Sequence, residues 1–304
     1  MMTAGAVPWR RSHRMNMRAS ALCFILPAML VLLGVYLGPM LYALQASFTG
    51  WVMVMPGSEN DYVGFENYTD VLYSREFWAA VRVTVTYALS SITCGLVLGT
   101  ILALLLNLDF FWRSFFRAIM IIPMVITPAV IGIFWKLLYE QEDGVFNHLL
   151  FAVGLPKVAW LSLNMALPSM IVMDVWQTTP FFMLVILAGL HSIDENLIDA
   201  ARVDGTSPTQ MFRFILLPHL LPYMLIAASF RCIAAMGDFD KIWLLTGGGP
   251  GDRTTTMTIY TYKTGFSSFD IGRTTAIAWI FVAIVLTVSW PLLRHLLKTA
   301  AADR

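Results

Sequence analysis

Long runs of apolar residues alternate with short polar segments along the whole chain. Each run has about the length that a helix needs to cross roughly 30 Å of hydrocarbon, and a helix satisfies its own backbone hydrogen bonds there. The runs lie near residues 21–46, 83–107, 115–138, 167–190, 219–245 and 275–297. The pattern predicts an all-α, polytopic membrane protein with about six transmembrane helices.

Two of these runs are irregular. The third contains Pro123 and Pro128, and neighbouring helices must tolerate the backbone groups that these prolines leave unpaired. The fifth is interrupted by Arg231, Asp238 and Asp240, which makes it the weakest match to a span.

Composition supports the membrane assignment and excludes other classes. Hydrophobic residues make up 58% of the chain and charged residues only 13%, which is far from an ordinary soluble domain. The net charge of +1 argues against a nucleic-acid partner. A secretory signal peptide is the alternative for the N-terminus, but the first apolar run is longer than an h-region of about 7–15 residues.

The distribution of Lys and Arg predicts the orientation. With the N-terminus in the cytoplasm, the inner segments hold more of these residues than the outer ones, which is the bias that membrane insertion follows. They comprise the Arg-rich tail, Arg113, Arg117, Arg202, Arg213, Arg294, Lys298 and Arg304. We therefore predict a cytoplasmic tail at residues 1–19, a transmembrane domain at 20–298 and a cytoplasmic tail at 299–304.

One polar segment, from Ser192 to Pro222, carries strong helix-boundary signals. Ser192 and Glu195 fit a capping box, and Gly205 can stop the short helix that follows. This stretch lies between two predicted spans and, in the predicted topology, on the cytoplasmic side.

A second helix is predicted to start directly after that glycine. Ser207 is its N-cap, Pro208 its first residue and Gln210 its box partner, whereas Pro218 and Pro222 interrupt it before the next apolar run. The two helices therefore form an elbow at residues 192–218.

The chain lacks the motifs of enzymes. It has no His-Glu-x-x-His pair, no Gly-x-Ser-x-Gly sequence and no metal-ligand spacing, so we assign neither a catalytic residue nor a metal site. The run Gly247–Gly248–Gly249–Pro250 is first of all a turn, because it lacks the Gly-Lys-Ser/Thr ending of a phosphate-binding loop. If the protein moves a solute, the energy must come from another subunit.

The elbow resembles the cytoplasmic signature of the permeases of ABC importers. The resemblance is carried by Asp199-Ala200-Ala201, then Gly205, and finally Leu217-Pro218. In that family this loop is the coupling helix that docks into a cleft of the cytoplasmic ATPase. Small alanines permit close approach, and Asp199 and Arg202 offer charged contacts. Asp199 stands where the family usually has Glu, which shortens the reach of the carboxylate.

Further motifs are similar to those of the carbohydrate permeases of the maltose and glycerol-phosphate type. They are Trp176–Phe181, Leu187–Leu190, Phe239-Asp240 and Leu245–Pro250, with Val63–Tyr68 in the first outer loop. The resemblance covers nearly the whole chain. It implies the fold of a type I ABC importer permease and the transport of a sugar or a polyol phosphate.

The resemblance also implies partners and site residues. The partners are a second permease in a heterodimer, two ATPase subunits that hold ATP and Mg, an extracytoplasmic solute-binding protein, the carbohydrate and membrane lipid; the chain itself binds no cofactor. The residues implied in coupling are Glu195, Asp199, Ala200, Ala201, Arg202, Asp204, Gly205, Leu217 and Pro218. The predicted topology, rather than the resemblance, makes the outer residues Thr246, Gly247, Gly248, Gly249 and Pro250 candidates for contact with the binding protein.

Ionisable residues inside spans are costly and are candidates for the solute path. Asp174, Arg231, Asp238 and Asp240 are such residues, and Trp176 and Gln177 have the aromatic and amide groups that suit a sugar. The alternative is that they satisfy polar groups between helices or lie near the outer interface.

The expected mechanism is alternating access in the inner membrane, driven by the ATPase through the elbow. A stand-alone secondary transporter with an Asp/Arg relay is the alternative function. A membrane-embedded enzyme is the third, and it would need a nucleophile or metal cluster that the sequence lacks.

Overall fold

A computed structural model describes the backbone of residues 17–302 and the side chains of residues 22–290. The predicted tail at 1–19 therefore lies almost entirely outside the described residues, as do the last two residues of the predicted tail at 299–304. Within the described part the chain is helical, with isolated antiparallel bridges between Thr49 and Tyr62 and between Val52 and Asp270.

The helices follow the order of the apolar runs. They are α1 (Met17–Leu32), α2 (Gly38–Ala46), α3 (Glu66–Tyr73), α4 (Arg75–Asn107), α5 (Arg113–Val125), α6 (Pro128–Leu138), α7 (Val145–Ala152), α8 (Ala166–His191), α9 (Glu195–Val203), α10 (Pro208–Gln210), α11 (Leu217–Met236), α12 (Asp240–Thr246), α13 (Met257–Tyr262) and α14 (Ile271–Ala302). Five helical segments are long and apolar enough to cross a membrane, and the bent pair α5 and α6 brings the number to six. The prediction of about six spans is confirmed.

The third run bends sharply just before its second proline, Pro128, whereas Pro123 lies inside helix α5. Helix α5 ends at Val125, and α6 starts at Pro128, at an angle of 99°. Thr127 is extended because the pyrrolidine ring of a following proline excludes the helical conformation. The Gln177 amide donates to the carbonyl of Ile126 at 3.5 Å, so the bend is tied to α8.

The fifth span differs from its predicted limits. Helix runs from Pro208 to Met236, through a π-helical turn at Met211–Leu216, and Asp240 starts a separate short helix. The prediction that Pro218 and Pro222 interrupt the helix is wrong. Pro218 occupies the first turn of α11, and Pro222 is accommodated inside it.

Glycines allow the central helices to pack closely. A Cβ atom on Gly99 of α4 would lie 2.5 Å from Phe182 Cβ and 2.9 Å from the Met183 backbone nitrogen of α8. A Cβ on Gly132 of α6 would lie 2.6 Å from the carbonyl oxygen of Lys241 in α12. Small residues are what lets helix backbones approach within a membrane, where packing replaces the hydrophobic effect.

The first helical segment is different from the others. Every side chain from Leu22 to Tyr42 is exposed, and the segment is joined to the rest of the chain through α2, which lies beside α14. Most of this surface therefore lacks cover from the described part of this chain, although Tyr42 lies edge-on to Trp51 with ring centroids 6.1 Å apart.

Replacing Gly99 by Val is expected to destabilise the protein by about 1–3 kcal/mol, because the added groups meet the backbone of α8 rather than a movable side chain end. The measurement is the thermal unfolding midpoint in detergent. Gly34→Ala is the matched control, since a Cβ there meets no atom within 4 Å. An unchanged midpoint for Gly99→Val would contradict the close α4–α8 packing.

Candidate functional site

Four charged side chains meet between the central helices. Asp174 lies on α8, Arg231 on α11, Asp238 between α11 and α12, and Lys241 on α12. Arg231 Nη2 donates to Asp174 Oδ1 at 2.6 Å and to Asp238 Oδ2 at 2.8 Å. Lys241 Nζ contacts the Asp174 carboxylate and lies 3.1 Å from Asp238 Oδ2. We call these four residues the charge network.

Neutral side chains complete the charge network. Tyr87 of α4 donates to Asp238 Oδ2 at 2.9 Å, and Ser91 of α4 donates to the Asp174 carboxylate. Lys241 Nζ also donates to Gln177 Oε1 at 3.0 Å. The network thus joins four helices, α4, α8, α11 and α12.

Burial makes the charge balance of the network important. Asp174 is 0% exposed, Lys241 2% and Arg231 6%. A buried charge without a partner is strongly destabilising, whereas a paired one is tolerated. Two carboxylates against two cations leave no net charge in the cluster.

An open cavity lies beside the charge network. Its volume is about 430 Å³, which is within the range of small-molecule sites. It is lined by Met124, Pro128, Gln177, Thr178, Phe181, Phe230, Arg231, Ala234, Asp238 and Lys241. Aromatic faces, an amide, a hydroxyl and charged groups therefore border one space.

The structure brings together four of the six residues predicted for a solute path: Asp174, Gln177, Arg231 and Asp238. Trp176 lies on another face of α8, edge-on to Trp135 at 5.6 Å between ring centroids, where it lines an apolar cavity of about 770 Å³. Asp240 is exposed at the start of α12 and is not a member of the charge network.

Sequence reasoning left Lys241 out of the predicted solute path. A lysine three residues after Asp238, on the first turn of a helix, lies on the same side as that aspartate. That spacing was the signal that could have identified it.

The second candidate site is the loop of residues 192–218. Its first helix, α9, begins at Glu195 with Asp194 as the N-cap, whose carboxylate accepts from the Asn196 N–H at 2.9 Å. The predicted cap at Ser192 is wrong, because its hydroxyl donates to the Gly189 carbonyl instead.

The boundary signals at Gly205, Ser207, Pro208 and Gln210 are confirmed. Gly205 follows α9 with a φ of +72°, a conformation that glycine adopts without strain. Ser207 and Gln210 form a capping box, and Pro208 is the first helical residue.

The residues that were predicted for coupling differ in how far their side chains are exposed. Ala201 is buried at 7% exposed, whereas Ala200 is exposed. Leu217 is half-buried, and the remaining residues are exposed: Glu195, Asp199, Arg202, Asp204, Gly205 and Pro218. Arg202 and Asp199 form an ion pair at 3.0 Å on the surface.

Val203 is a surface residue that sequence reasoning did not identify. Its side chain is 88% exposed, next to Arg202 and Asp204. With Asp199 and Ala200 it lies on one side of α9, since residues four apart are neighbours on a helix. We call Asp199, Ala200 and Val203 the docking face.

The glycine-rich turn lies at the opposite end of the molecule. Gly251 borders a cavity with Arg75 at the start of α4, whereas Leu106 near the end of α4 packs with Leu190 and Ile193 beside the loop. Gly247 and Gly248 have positive φ angles, as a tight turn requires. Thr254 and Thr255 donate to the Gly249 and Gly248 carbonyls, so the turn is fixed by its own hydrogen bonds.

The fold and these sites define a polytopic α-helical membrane protein with a charged cluster in its interior and a polar helical loop at one end. The sequence pattern of the binding-protein-dependent transport system inner membrane component matches residues 95–300. The chain belongs to this family, whose members are the permease subunits of ABC importers. The family is one of transport components of the inner membrane, and ATP hydrolysis takes place on a separate subunit.

Individual proteins agree with the family assignment. The chain is 55% identical to a probable ABC transporter permease protein of Sinorhizobium fredii over 99% of this chain and 97% of the relative. It is 36% identical to a trehalose/maltose transport system permease protein of Thermococcus litoralis over 86% of this chain and 88% of the relative. The stand-alone secondary transporter is therefore not favoured.

A solved structure has the same fold. It is a bacterial ABC transporter involved in the import of the acidic polysaccharide alginate, with a TM-score of 0.80 and 23% identity. The match covers 93% of this chain and 97% of that one.

Charge balance predicts how the charge network responds to mutation. Lys241→Met leaves two carboxylates against one cation and is expected to cost about 3–5 kcal/mol, and Asp174→Asn upsets the balance in the opposite sense. Because the double variant has one charge of each sign, it should be more stable than Lys241→Met alone. The measurement is a double-mutant cycle on the free energy of unfolding in detergent. Additive losses would contradict a coupled network.

Proposed function

We propose that this chain is one of two permease subunits of a carbohydrate importer, and that it transmits movement of a separate ATPase to the solute path through the loop of residues 192–218. The supporting observation is that unbroken helices connect the loop to the charge network. Helix α8 runs from the loop to Asp174, and the helical segment Pro208–Met236 runs from the loop to Arg231.

The length of α8 sets the distance over which a movement of the loop must reach the charge network. His191 lies seventeen residues after Asp174 in α8, which corresponds to about 26 Å along the axis. This stretch is helical throughout, with Pro180 accommodated inside it. A displacement of the loop is therefore carried to the charge network as a movement of whole helices, which are rigid elements.

The docking face is proposed to contact the ATPase. Its members are exposed, and Val203 is an apolar side chain with no cover from this chain. Ala201 and Gly205 act differently, since the first packs inward and the second sets the end of α9. Glu195, Arg202, Asp204 and Pro218 border this face, and ATP and Mg belong to the partner, not to this chain.

The cavity beside the charge network is proposed to line the solute path. Phe181 and Phe230 provide apolar faces for the ring of a sugar, and Gln177 and Asp238 provide polar partners for its hydroxyls. Asp174 is shielded from the cavity and holds the cations in place. The trehalose/maltose specificity of a relative at 36% identity supports a sugar as the solute.

The exposed first helix supports the second permease. All side chains from Leu22 to Tyr42 are exposed, so lipid or another subunit must surround them. A heterodimer supplies such a surface on one side of the helix.

The proposed orientation places the loop and both tails, residues 1–19 and 299–304, in the cytoplasm. The excess of Lys and Arg on that side supports it. The turn of Thr246, Gly247, Gly248, Gly249 and Pro250 then faces the solute-binding protein outside.

Ala200→Trp is expected to prevent docking of the ATPase, because the indole would occupy the space of close contact. The measurement is the amount of ATPase that co-purifies with the assembled permease pair, with at least a tenfold loss expected. Ala152→Trp, at an exposed alanine of the short helix α7, is the matched control. Wild-type co-purification of the Ala200 variant would remove the docking face from the proposal.

The energy source is tested in proteoliposomes that contain the complete transporter. Uptake of radiolabelled trehalose or maltose is expected only with internal ATP and external binding protein, and it should persist when a protonophore collapses the proton gradient. Glycerol 3-phosphate serves as the competing solute. Uptake driven by a proton gradient without ATP would refute the importer function.

A further inference from the structure

We propose that a polar cleft at the start of α4 receives an acidic side chain of the solute-binding protein, and that Arg75 is the ion partner of that side chain. This inference rests on the proposed function, because it presumes that a binding protein docks on the outer face. We call this space the outer cleft.

The outer cleft has a volume of about 450 Å³ and lies between three segments that are far apart in the sequence. They are the first turns of α4, the end of the glycine-rich turn, and the segment from α13 towards α14. The charged and hydroxyl groups that line it belong to Arg75, Glu76, Asp252, Thr255, Tyr260 and Lys263. The outer cleft is therefore a polar space that a polar group can enter.

The outer cleft lies beyond the hydrocarbon of the membrane. Helix α4 has 33 residues and is about 50 Å long, whereas a hydrocarbon core is about 30 Å thick, so the helix extends past it. Arg75 is the first residue of α4, and both Arg75 and Glu76 are exposed. A soluble partner can therefore reach these side chains.

The glycine-rich turn shapes one wall of the outer cleft. Thr255, which is 4% exposed, donates to the Gly248 carbonyl at 2.9 Å and accepts from Lys263 Nζ at 3.2 Å. A Cβ atom on Gly248 would lie 2.6 Å from Thr255 Oγ1 and 3.0 Å from Lys263 Nζ. The missing side chain of Gly248 thus leaves room for the ammonium group of Lys263, which becomes part of the wall.

The charged groups of the outer cleft are not equally satisfied. Asp252 pairs with Lys263 at 3.2 Å, and Glu76 accepts from the Ser74 hydroxyl at 2.6 Å. Arg75 makes no ion pair and no side-chain hydrogen bond within residues 22–290. Both carboxylates of the cleft therefore have a donor from this chain, whereas the five donors of the Arg75 guanidinium have no acceptor from it. The group that the cleft lacks is an acceptor.

A carboxylate of a protein partner fits this requirement. It matches a guanidinium because two parallel hydrogen bonds can form between them. One exposed ion pair contributes little alone, so a free carboxylate solute would bind weakly here. A docking protein adds contacts around the pair, and the outer cleft borders the turn that is proposed to face the binding protein. An acidic residue of that protein is therefore the occupant.

The test uses the complete transporter in liposomes and its binding protein, loaded with trehalose or maltose. The rate of ATP hydrolysis is measured against the concentration of binding protein. Arg75→Gln should raise the half-maximal concentration about fivefold, the upper end for an exposed ion pair, and should change the rate at saturation less. The half-maximal concentration should also depend less steeply on salt in this variant, because salt then screens one charge pair fewer.

Further variants separate charge from shape. Arg75→Lys keeps the charge and should recover part of the affinity, whereas Arg75→Glu replaces attraction by repulsion and should raise the half-maximal concentration about tenfold. Lys157→Gln is the matched control. Lys157 is an outer cation that already pairs with Glu142 at 2.8 Å, so its loss should leave the half-maximal concentration unchanged.

A crosslink tests the chemistry of the contact directly. A carbodiimide joins a carboxylate to an amine that touches it, as an amide with loss of water. In the Arg75→Lys variant, peptide mapping should find position 75 joined to an aspartate or glutamate of the binding protein.

Three results overturn the proposal while the wild type responds to binding protein. An unchanged half-maximal concentration in both Arg75→Gln and Arg75→Glu excludes the ion pair. The absence of a crosslink from position 75 to the binding protein excludes the contact. An effect of Arg75→Gln that follows the anionic lipid content of the liposomes assigns Arg75 to the membrane surface instead. A wild type that does not respond to binding protein refutes the proposed function itself, and the outer cleft then has no such partner.

Discussion

The charge network is the constraint on which the arrangement of the central helices depends. An ionised side chain in a low-dielectric interior is tolerated only with a partner of opposite charge. Arg231 and Lys241 each contact both Asp174 and Asp238, so α8, α11 and α12 cannot separate without exposing an unpaired charge. Tyr87 and Ser91 extend the same condition to α4. A change of conformation must therefore keep these pairs or exchange one complete set for another.

Close backbone packing complements this electrostatic constraint. Gly95 and Gly99 hold α4 against Phe182 of α8 in the half of the molecule nearer the loop, where the core is apolar. The charge network holds the same two helices further along. Helices α4 and α8 are thus held together by close packing nearer the loop and by the charge network further along. This makes α8 a suitable element to carry movement from the loop to the cavity.

The sequence predicted the spans because hydropathy and length determine them in a membrane. It also predicted the Ser207 capping box, and it marked the third run as irregular at Pro123 and Pro128 without predicting the bend. It failed where local alternatives compete: Asp194 lies two residues after Ser192 and offers an equally good cap. Which face a residue occupies also needed the structure. Trp176 and Gln177 are consecutive, yet about 100° of rotation per residue places them on different faces of α8, where they line different cavities.

Polar side chains are distributed differently in the interior of the chain and on its exposed first helical segment. Polar side chains within the spans gather where helices of this chain meet, whereas the exposed segment from Leu22 to Tyr42 is almost entirely apolar. Contacts between this segment and another subunit must then depend on shape and van der Waals packing, because lipid chains are as apolar as leucine. Gly34 and Gly38 have open space where a side chain would be, so a second helix can approach closely there. In the proposed permease pair, assembly would therefore depend on fit, whereas the proposed solute path depends on charge. A mutation in one of these regions need not disturb the other.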